Sequence, residues 1–287
     1  MRITRTRRAN RYADRAVARR VTRAIALVVA LATLSASGLA AAAGAVCASH
    51  SPSHRVALVE LYSSEGCNSC PPADAWLSQW KNSGASQSIV PLALHVDYWN
   101  SLGWTDRFSQ HRFTERQQTL TDLAGGHTIY TPEIFVSGRE LRGWSQRDSF
   151  QSRVEKLVAE PAQANVALEL KSQAKDAFNV DAQFTSKAAD TKSPADPLNA
   201  YVALYQNALS SQVKAGENSG VTLHHERVVR QWIGPVPLVA GQAQIRRDIR
   251  IDDADANAPA GTFGVVAFVE NAATGDVLQV GELAVCH

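Results

Sequence analysis

Hydrophobic positions keep one kind of spacing up to about Glu160 and another beyond it. Between Arg55 and Glu160, short apolar runs alternate with stretches at helical spacing. Val56-Ala-Leu-Val-Glu-Leu-Tyr62 reads as a strand, Pro71 to Trp80 as a helix, Ile89 to Tyr98 as a buried strand, and Asp106 to Leu123 as a long polar helix. Ile134-Phe-Val136 is a third strand and Glu140-Leu-Arg142 a short fourth, while Phe150, Val154, Leu157 and Val158 mark one face of a closing helix. Strands alternating with helices predict an α/β layer arrangement. From Asn165 onward the period drops to two: Val166, Leu168 and Leu170 alternate with polar residues, as do Phe178, Val180, Ala182 and Phe184, and further strand-like runs continue to Val285. Turn-forming Pro and Gly separate these runs, which predicts an all-β sandwich-like domain. The expected boundary is Glu160-Pro161, with one domain over 46–160 and the other over 161–287.

Charge divides the chain differently. The first 45 residues hold nine of the 29 basic side chains and one of the 27 acidic ones, so the formal net charge of +2 conceals a leader of +8 and a remainder of −6. An arginine-rich start, the apolar run Ala24 to Leu34 and Ala43-Gly44-Ala45 describe a signal peptide over 1–45. The remainder is then expected in the periplasm or secreted, with no stable membrane insertion after cleavage, where disulfides persist. An acidic remainder also argues against nucleic acid as a partner, because the electrostatic term of such binding needs basic groups on the folded domain.

The chemistry lies in Cys67-Asn-Ser-Cys70, placed directly after the first strand and at the start of a helix. Two cysteines three apart on a first helical turn bring their sulfurs within bonding range. The partial positive charge of a helix N-terminus favours a thiolate, which makes Cys67 the candidate nucleophile and Cys70 the resolving thiol. Pro71 and Pro72 lack an N–H, at little cost in a first turn where those donors are orphaned anyway. Farther along, Thr131-Pro132 opens the third strand. In the thioredoxin-like fold a cis-proline at this point packs beside the C-x-x-C, and the backbone of the residue before it, here Thr131, pairs with the substrate chain. The order of strands and helices from Val56 to Val158 is that of this fold.

Val59-Glu-Leu-Tyr-Ser-Ser-Glu-Gly-Cys-Asn-Ser-Cys-Pro-Pro-Ala-Asp74, together with His95-Val-Asp-Tyr-Trp-Asn100, Gly103-Trp-Thr-Asp-Arg-Phe108 and Tyr130-Thr-Pro132, resembles domain-of-unknown-function family 1223. The resemblance implies an exported bacterial protein with a thioredoxin-like region and a redox-type site, and lends no activity beyond that. The expected fold class is therefore an α/β thioredoxin-like domain followed by an all-β sandwich-like domain. The expected function is thiol–disulfide exchange with protein or peptide thiols and disulfides of the cell envelope, with no cofactor.

Other residues admit two readings. Glu60 stands seven positions before Cys67, one off the position where thioredoxins place a proton-relaying acid. It is either a tuning group or the partner of a cation on the other sheet face. His95 and Asp97 either tune Cys67 or serve structure, and Trp99 and Trp104 either line a peptide groove or pack. Two thiolates with a nearby histidine also suit Cu(I), which is the alternative function and the alternative cofactor, although no spacing among His95, His111 and His127 selects a nitrogen ligand. A third reading is a non-catalytic envelope binding protein whose C-x-x-C is only a bridge. Cys47 and Cys286 remain as a structural disulfide joining the two ends of the mature chain. His224-His225 falls on a strand, where adjacent side chains face opposite ways, and reads as structural. Gly216-Glu-Asn-Ser-Gly220 reads as a turn.

Overall fold

A computed structural model describes residues 46–83, 88–174, 177–186, 197–250 and 262–285. The expected signal peptide and Cys286 lie outside these residues. The elements in chain order are β1 (Val46–His50), β2 (Ala57–Ser63), α1 (Pro71–Ser78), β3 (Ile89–His95), α2 (His111–Leu123), β4 (Glu133–Val136), β5 (Arg139–Glu140) and α3 (Arg147–Val158), followed by β6 (Ala164–Ala174), β7 (Ala177–Ser186), β8 (Leu198–Gln206), β9 (Leu209–Gln212) and β10 (Thr222–His225). The chain ends with β11 (Val228–Pro237), β12 (Gln242–Arg250), β13 (Phe263–Asn271) and β14 (Val277–Ala284).

The expected thioredoxin-like α/β domain with a sandwich behind it is not what the chain forms. The protein is mostly β, and strands from both halves share one eight-stranded mixed sheet of order β14-β13-β8-β11-β3-β2-β4-β5. A second sheet, β1-β6-β7-β12, is antiparallel, and β9 and β10 form a separate ribbon. The physical reason for the joined sheet is visible in β8 and β13. Ala200 to Tyr205 and Val265 to Val269 are buried without alternation. A strand buried on both faces has to lie inside a covered sheet, which an outer layer of a two-sheet sandwich does not provide.

The cover differs along the sheet. On one face, Leu58 and Tyr62 of β2, Leu92 and Leu94 of β3, Val229 of β11 and Val266 and Phe268 of β13 form a single core with Phe113 and Leu120 of α2. On the other face, Val59 and Leu61 pack with Ala73 and Leu77 of α1 and with Phe150 and Val154 of α3. Farther along that face, Val202, Val265 and Ala267 pack on Val166, Leu168 and Phe184 of the four-stranded sheet.

The two halves of the large sheet meet where β11 runs parallel to β3, in register at Val228 and Ala93. Arg227 secures this seam. Its carbonyl accepts from Ala93 N at 2.9 Å, its Nε donates to Pro91 O at 2.9 Å, its guanidinium meets Glu282 at 2.5 Å, and it lies over the Tyr205 ring at 3.8 Å.

Candidate functional site

The loop from Ser64 to Cys70 connects β2 to α1, and its cysteines form a disulfide with Cα atoms 5.4 Å apart. Both cysteines are buried, whereas Asn68 and Ser69 between them are exposed. Gly66 lets this loop lie against Trp99, since a Cβ at that position would come within 3.1 Å of the tryptophan Cβ. Ser69 Oγ stands 3.3 Å from Cys67 Sγ and donates to the Thr131 carbonyl at 3.4 Å. The Thr131–Pro132 peptide is cis, and Trp99 Nε1 donates to Thr131 Oγ1 at 2.8 Å. Cys67, Cys70, Thr131 and Pro132 thus share one corner of the molecule. A cleft of about 520 Å³ lined by Thr121, Gly126, His127, Thr128 and Tyr130 reaches the residue before Thr131.

The far half of the chain supplies part of this corner. In the turn between β9 and β10, Asn218 Nδ2 donates to the carbonyls of Glu65 at 2.9 Å and Cys67 at 3.0 Å, while Glu217 accepts from Asn68 N at 3.1 Å. The segment Gly216 to Gly220, legible in sequence only as a turn, is the lining of the disulfide loop. Nothing in a turn signature indicates what the turn touches.

Glu60 is fully buried on the α2 face of the sheet. Arg116 of α2 holds it bidentately, at 2.7 and 3.1 Å, and also reaches Glu270 at 2.8 Å. Burial, with Glu60 close by, raises the Glu270 pKa despite Arg116. Asp97 serves the start of α2, accepting from Thr114 Oγ1 at 2.6 Å and lying 3.0 Å from His111 Nδ1. His127 is exposed.

On the opposite face, His95 belongs to a second buried polar cluster. Its Nδ1 is 2.6 Å from Asp106 Oδ2, with both side chains inaccessible. Asp106 also accepts from Glu65 N and Phe108 N, each at 2.9 Å. Burial alone would raise the Asp106 pKa, but His95 and the two amides outweigh it and hold the carboxyl below the usual range. His225 of β10 packs its ring 5.0 Å from that of His95, with Nε2 3.4 Å from Glu65 Oε1 and Nδ1 3.6 Å from Asp74 Oδ2. Burial opposes its charge, yet Asp74 and Glu65 prevail and raise its pKa to about 9. Trp104 Nε1 donates to Glu65 Oε2 at 2.7 Å. In sequence, strand alternation separates His224 from His225 and both read as structural, which misses this. The same alternation requires one of the two imidazoles to face inward, and that one is His225.

Cys47 on β1 is disulfide-bonded, with Sγ 4.0 Å from the Ala284 carbonyl of β14. Its expected partner, Cys286, lies outside the described residues. No helix among the described residues is long and apolar enough to cross a membrane.

The fold and this corner define a β-rich protein with a C-x-x-C disulfide loop at the foot of a short helix. The chain belongs to the family described as protein of unknown function (DUF1223), whose profile matches residues 58–270. Among solved structures it is similar to protein AGR_C_4864 from Agrobacterium tumefaciens, at 23% identity and TM-score 0.55, covering 82% of this chain and 96% of that one. It is also similar to HBP35 of Porphyromonas gingivalis, at 16% identity and TM-score 0.59, covering 82% and 76%. At these identities the likeness is one of fold. No curated protein matches the chain in sequence.

Proposed function

We propose that the protein is a thiol–disulfide oxidoreductase working through Cys67 and Cys70 in a compartment outside the cytoplasm. The observation that carries this reading is the placement of the Cys67–Cys70 disulfide at the N-terminus of α1, under the exposed Asn68-Ser69 and next to the Thr131 backbone. In the oxidising direction a substrate thiolate attacks Cys67 Sγ, the S–S bond breaks, and Cys70 leaves as a thiolate. A second substrate thiolate then attacks the substrate sulfur of the mixed disulfide and releases Cys67. The substrate loses two electrons and becomes a disulfide, and the pair gains them and becomes a dithiol. The reverse order reduces a substrate disulfide, with Cys67 as nucleophile. The helix N-terminus favours the Cys67 thiolate in both directions, and the Ser69 hydroxyl, 3.3 Å from the sulfur, does so when its proton turns from the Thr131 carbonyl to Sγ.

The test is turnover of a model peptide, both as dithiol and as disulfide, by the wild-type chain and by Cys67→Ser, together with the reduction potential of the pair. Turnover is expected to fall to background in Cys67→Ser, and Cys70→Ser is expected to accumulate mixed disulfides through Cys67. A potential below about −300 mV, or turnover unchanged by Cys67→Ser, would reduce the pair to a structural bridge.

A further inference from the structure

The cluster behind the disulfide loop contains more polar capacity than it uses. His95 Nε2, both ring nitrogens of His225 and Glu65 Oε1 are buried and have no hydrogen-bond partner. An orphaned polar atom in a dry interior costs roughly 1–3 kcal/mol; His225 Nε2 and Glu65 Oε1 face each other at 3.4 Å, and the two nitrogens left over, His95 Nε2 and His225 Nδ1, call for an occupant. A charged His225 between Glu65 and Asp74 is the plainer account, but at 3.6 Å the Asp74 contact is too long to satisfy Nδ1. That account also leaves His95 Nε2 unused.

We propose that Asp74, His95 and His225 bind one divalent transition-metal ion of the zinc type. One donor atom from each of the three lies within 4.8 Å of the others, and all three residues are buried. Around a tetrahedral ion with ligand bonds of about 2.0–2.1 Å, neighbouring donors stand roughly 3.4 Å apart, so the three close by up to about 1.4 Å through side-chain rotation. The surroundings suit ligation. Asp106, a carboxylate that only accepts, accepts a hydrogen bond from His95 Nδ1–H and so leaves the Nε2 lone pair facing inward. Glu65 stands at Nε2 of His225 and leaves Nδ1 toward Asp74. A carboxylate on the far nitrogen of each imidazole is the usual support of a metal-bound histidine.

Two imidazoles and one carboxylate select zinc and its neighbours. Calcium and magnesium require more oxygen donors, and Cu(I) prefers the sulfurs, which this site does not use. The ligands come from α1, β3 and β10, so the ion would tie the helix that follows Cys70 to the ribbon whose turn holds Asn218.

The experiment uses the full chain with Cys67–Cys70 oxidised, and separately a Cys67→Ser/Cys70→Ser variant, so that neither thiol can ligate and the outcome does not depend on the redox reading. After treatment with a chelator, Zn²⁺ is titrated by competition with an indicator dye, and Co²⁺ is added as a spectroscopic stand-in. Binding of one equivalent is expected, with intense tetrahedral Co²⁺ absorption and a rise in Tm on adding Zn²⁺. Asp74→Asn and His225→Gln are each expected to weaken Zn²⁺ binding at least 100-fold, while His224→Ala, on the exposed side of the same strand, leaves it unchanged. Circular dichroism of the metal-free variants establishes that they are folded; where one is not, the wild-type Co²⁺ spectrum decides. Binding that survives both substitutions in folded protein, an octahedral Co²⁺ spectrum, or no binding by the folded wild-type chain would overturn the proposal.

Discussion

Two buried ionic clusters sit on opposite faces of the same sheet, and they differ in how completely they are satisfied. On the α2 face, Arg116 donates three hydrogen bonds to Glu60 and Glu270 and lies 4.9 to 5.3 Å from the ring centroids of Trp232, Tyr201 and Phe268. On the α1 face, Glu65, Asp74, His95, Asp106 and His225 crowd together with four polar atoms unpartnered. The first cluster ties β2 to β13, and none of its buried side-chain nitrogens or oxygens lacks a partner. A saturated ion group in a core acts as a pin, whereas an unsaturated one is a site.

The largest effect should come from breaking the pin. Arg116→Met leaves two carboxylates buried without a cation and is expected to cost about 3–5 kcal/mol in urea unfolding. Replacing all three together, by Glu60→Leu, Arg116→Met and Glu270→Leu, should recover most of that loss, because an apolar trio needs no compensation. A loss below about 1 kcal/mol for Arg116→Met would show that the triad does not bear on stability. On the other face, Asp106→Asn disturbs the acceptor shared by His95, Glu65 N and Phe108 N. It is expected to cost about 2 kcal/mol in the metal-free chain, a smaller loss because Asn retains one acceptor oxygen. A cost equal to that of Arg116→Met would remove the distinction between the two clusters.

Much of this was legible from residues. Strands expected over Val56–Tyr62 and Ile89–Tyr98 form over Ala57–Ser63 and Ile89–His95, the long polar stretch holds α2, and Cys67 and Cys70 stand on the loop into a helix, as their spacing requires. Both clusters were hidden, because periodicity describes neighbours along the chain and both clusters are long-range. Glu60 and Glu270 are 210 positions apart in sequence, and His95 and His225 are 130 apart. Their meeting depends on β11 docking beside β3, a parallel contact that no turn announces. One available sign went unread: Tyr201-Val-Ala-Leu-Tyr205 and Val265-Val-Ala-Phe-Val269 are continuous rather than alternating, which marks the interior of a covered sheet. Read as period two, they suggested a separate sandwich.

In the disulfide corner, the far half of the chain holds the loop of the near half. Asn218 is buried and spends both its hydrogen bonds on the carbonyls of Glu65 and Cys67. Asn218→Ala should lower global stability by about 1–1.5 kcal/mol and loosen the loop locally by a similar amount. Since 1.4 kcal/mol is tenfold in an equilibrium, reduction of Cys67–Cys70 by dithiothreitol should be accelerated up to about tenfold. An unchanged rate would mean that the β9–β10 turn does not limit access to the pair.

The smallest effect sharpens what saturation means on the α2 face. Glu133 lies there too, following Pro132, but Arg116 does not reach it. Neutral Gln117 donates to it instead at 2.6 Å. Burial pushes its pKa from 4.5 up to about 7, with Gln117 opposing the shift and Glu140 adding to it. Between those two values the folded chain holds a proton that the unfolded chain has released, so stability declines as pH rises from about 4.5 to about 7 and is level above that. Glu133→Gln removes the carboxylate and keeps an acceptor for Gln117. It should flatten this slope, adding about 1 kcal/mol at pH 8 after allowance for solvent screening and nothing at pH 4. Unfolding curves recorded from pH 4 to 8 for both proteins decide the point. If the two pH profiles run parallel, Glu133 is already compensated by the neutral donors Gln117 and Thr121.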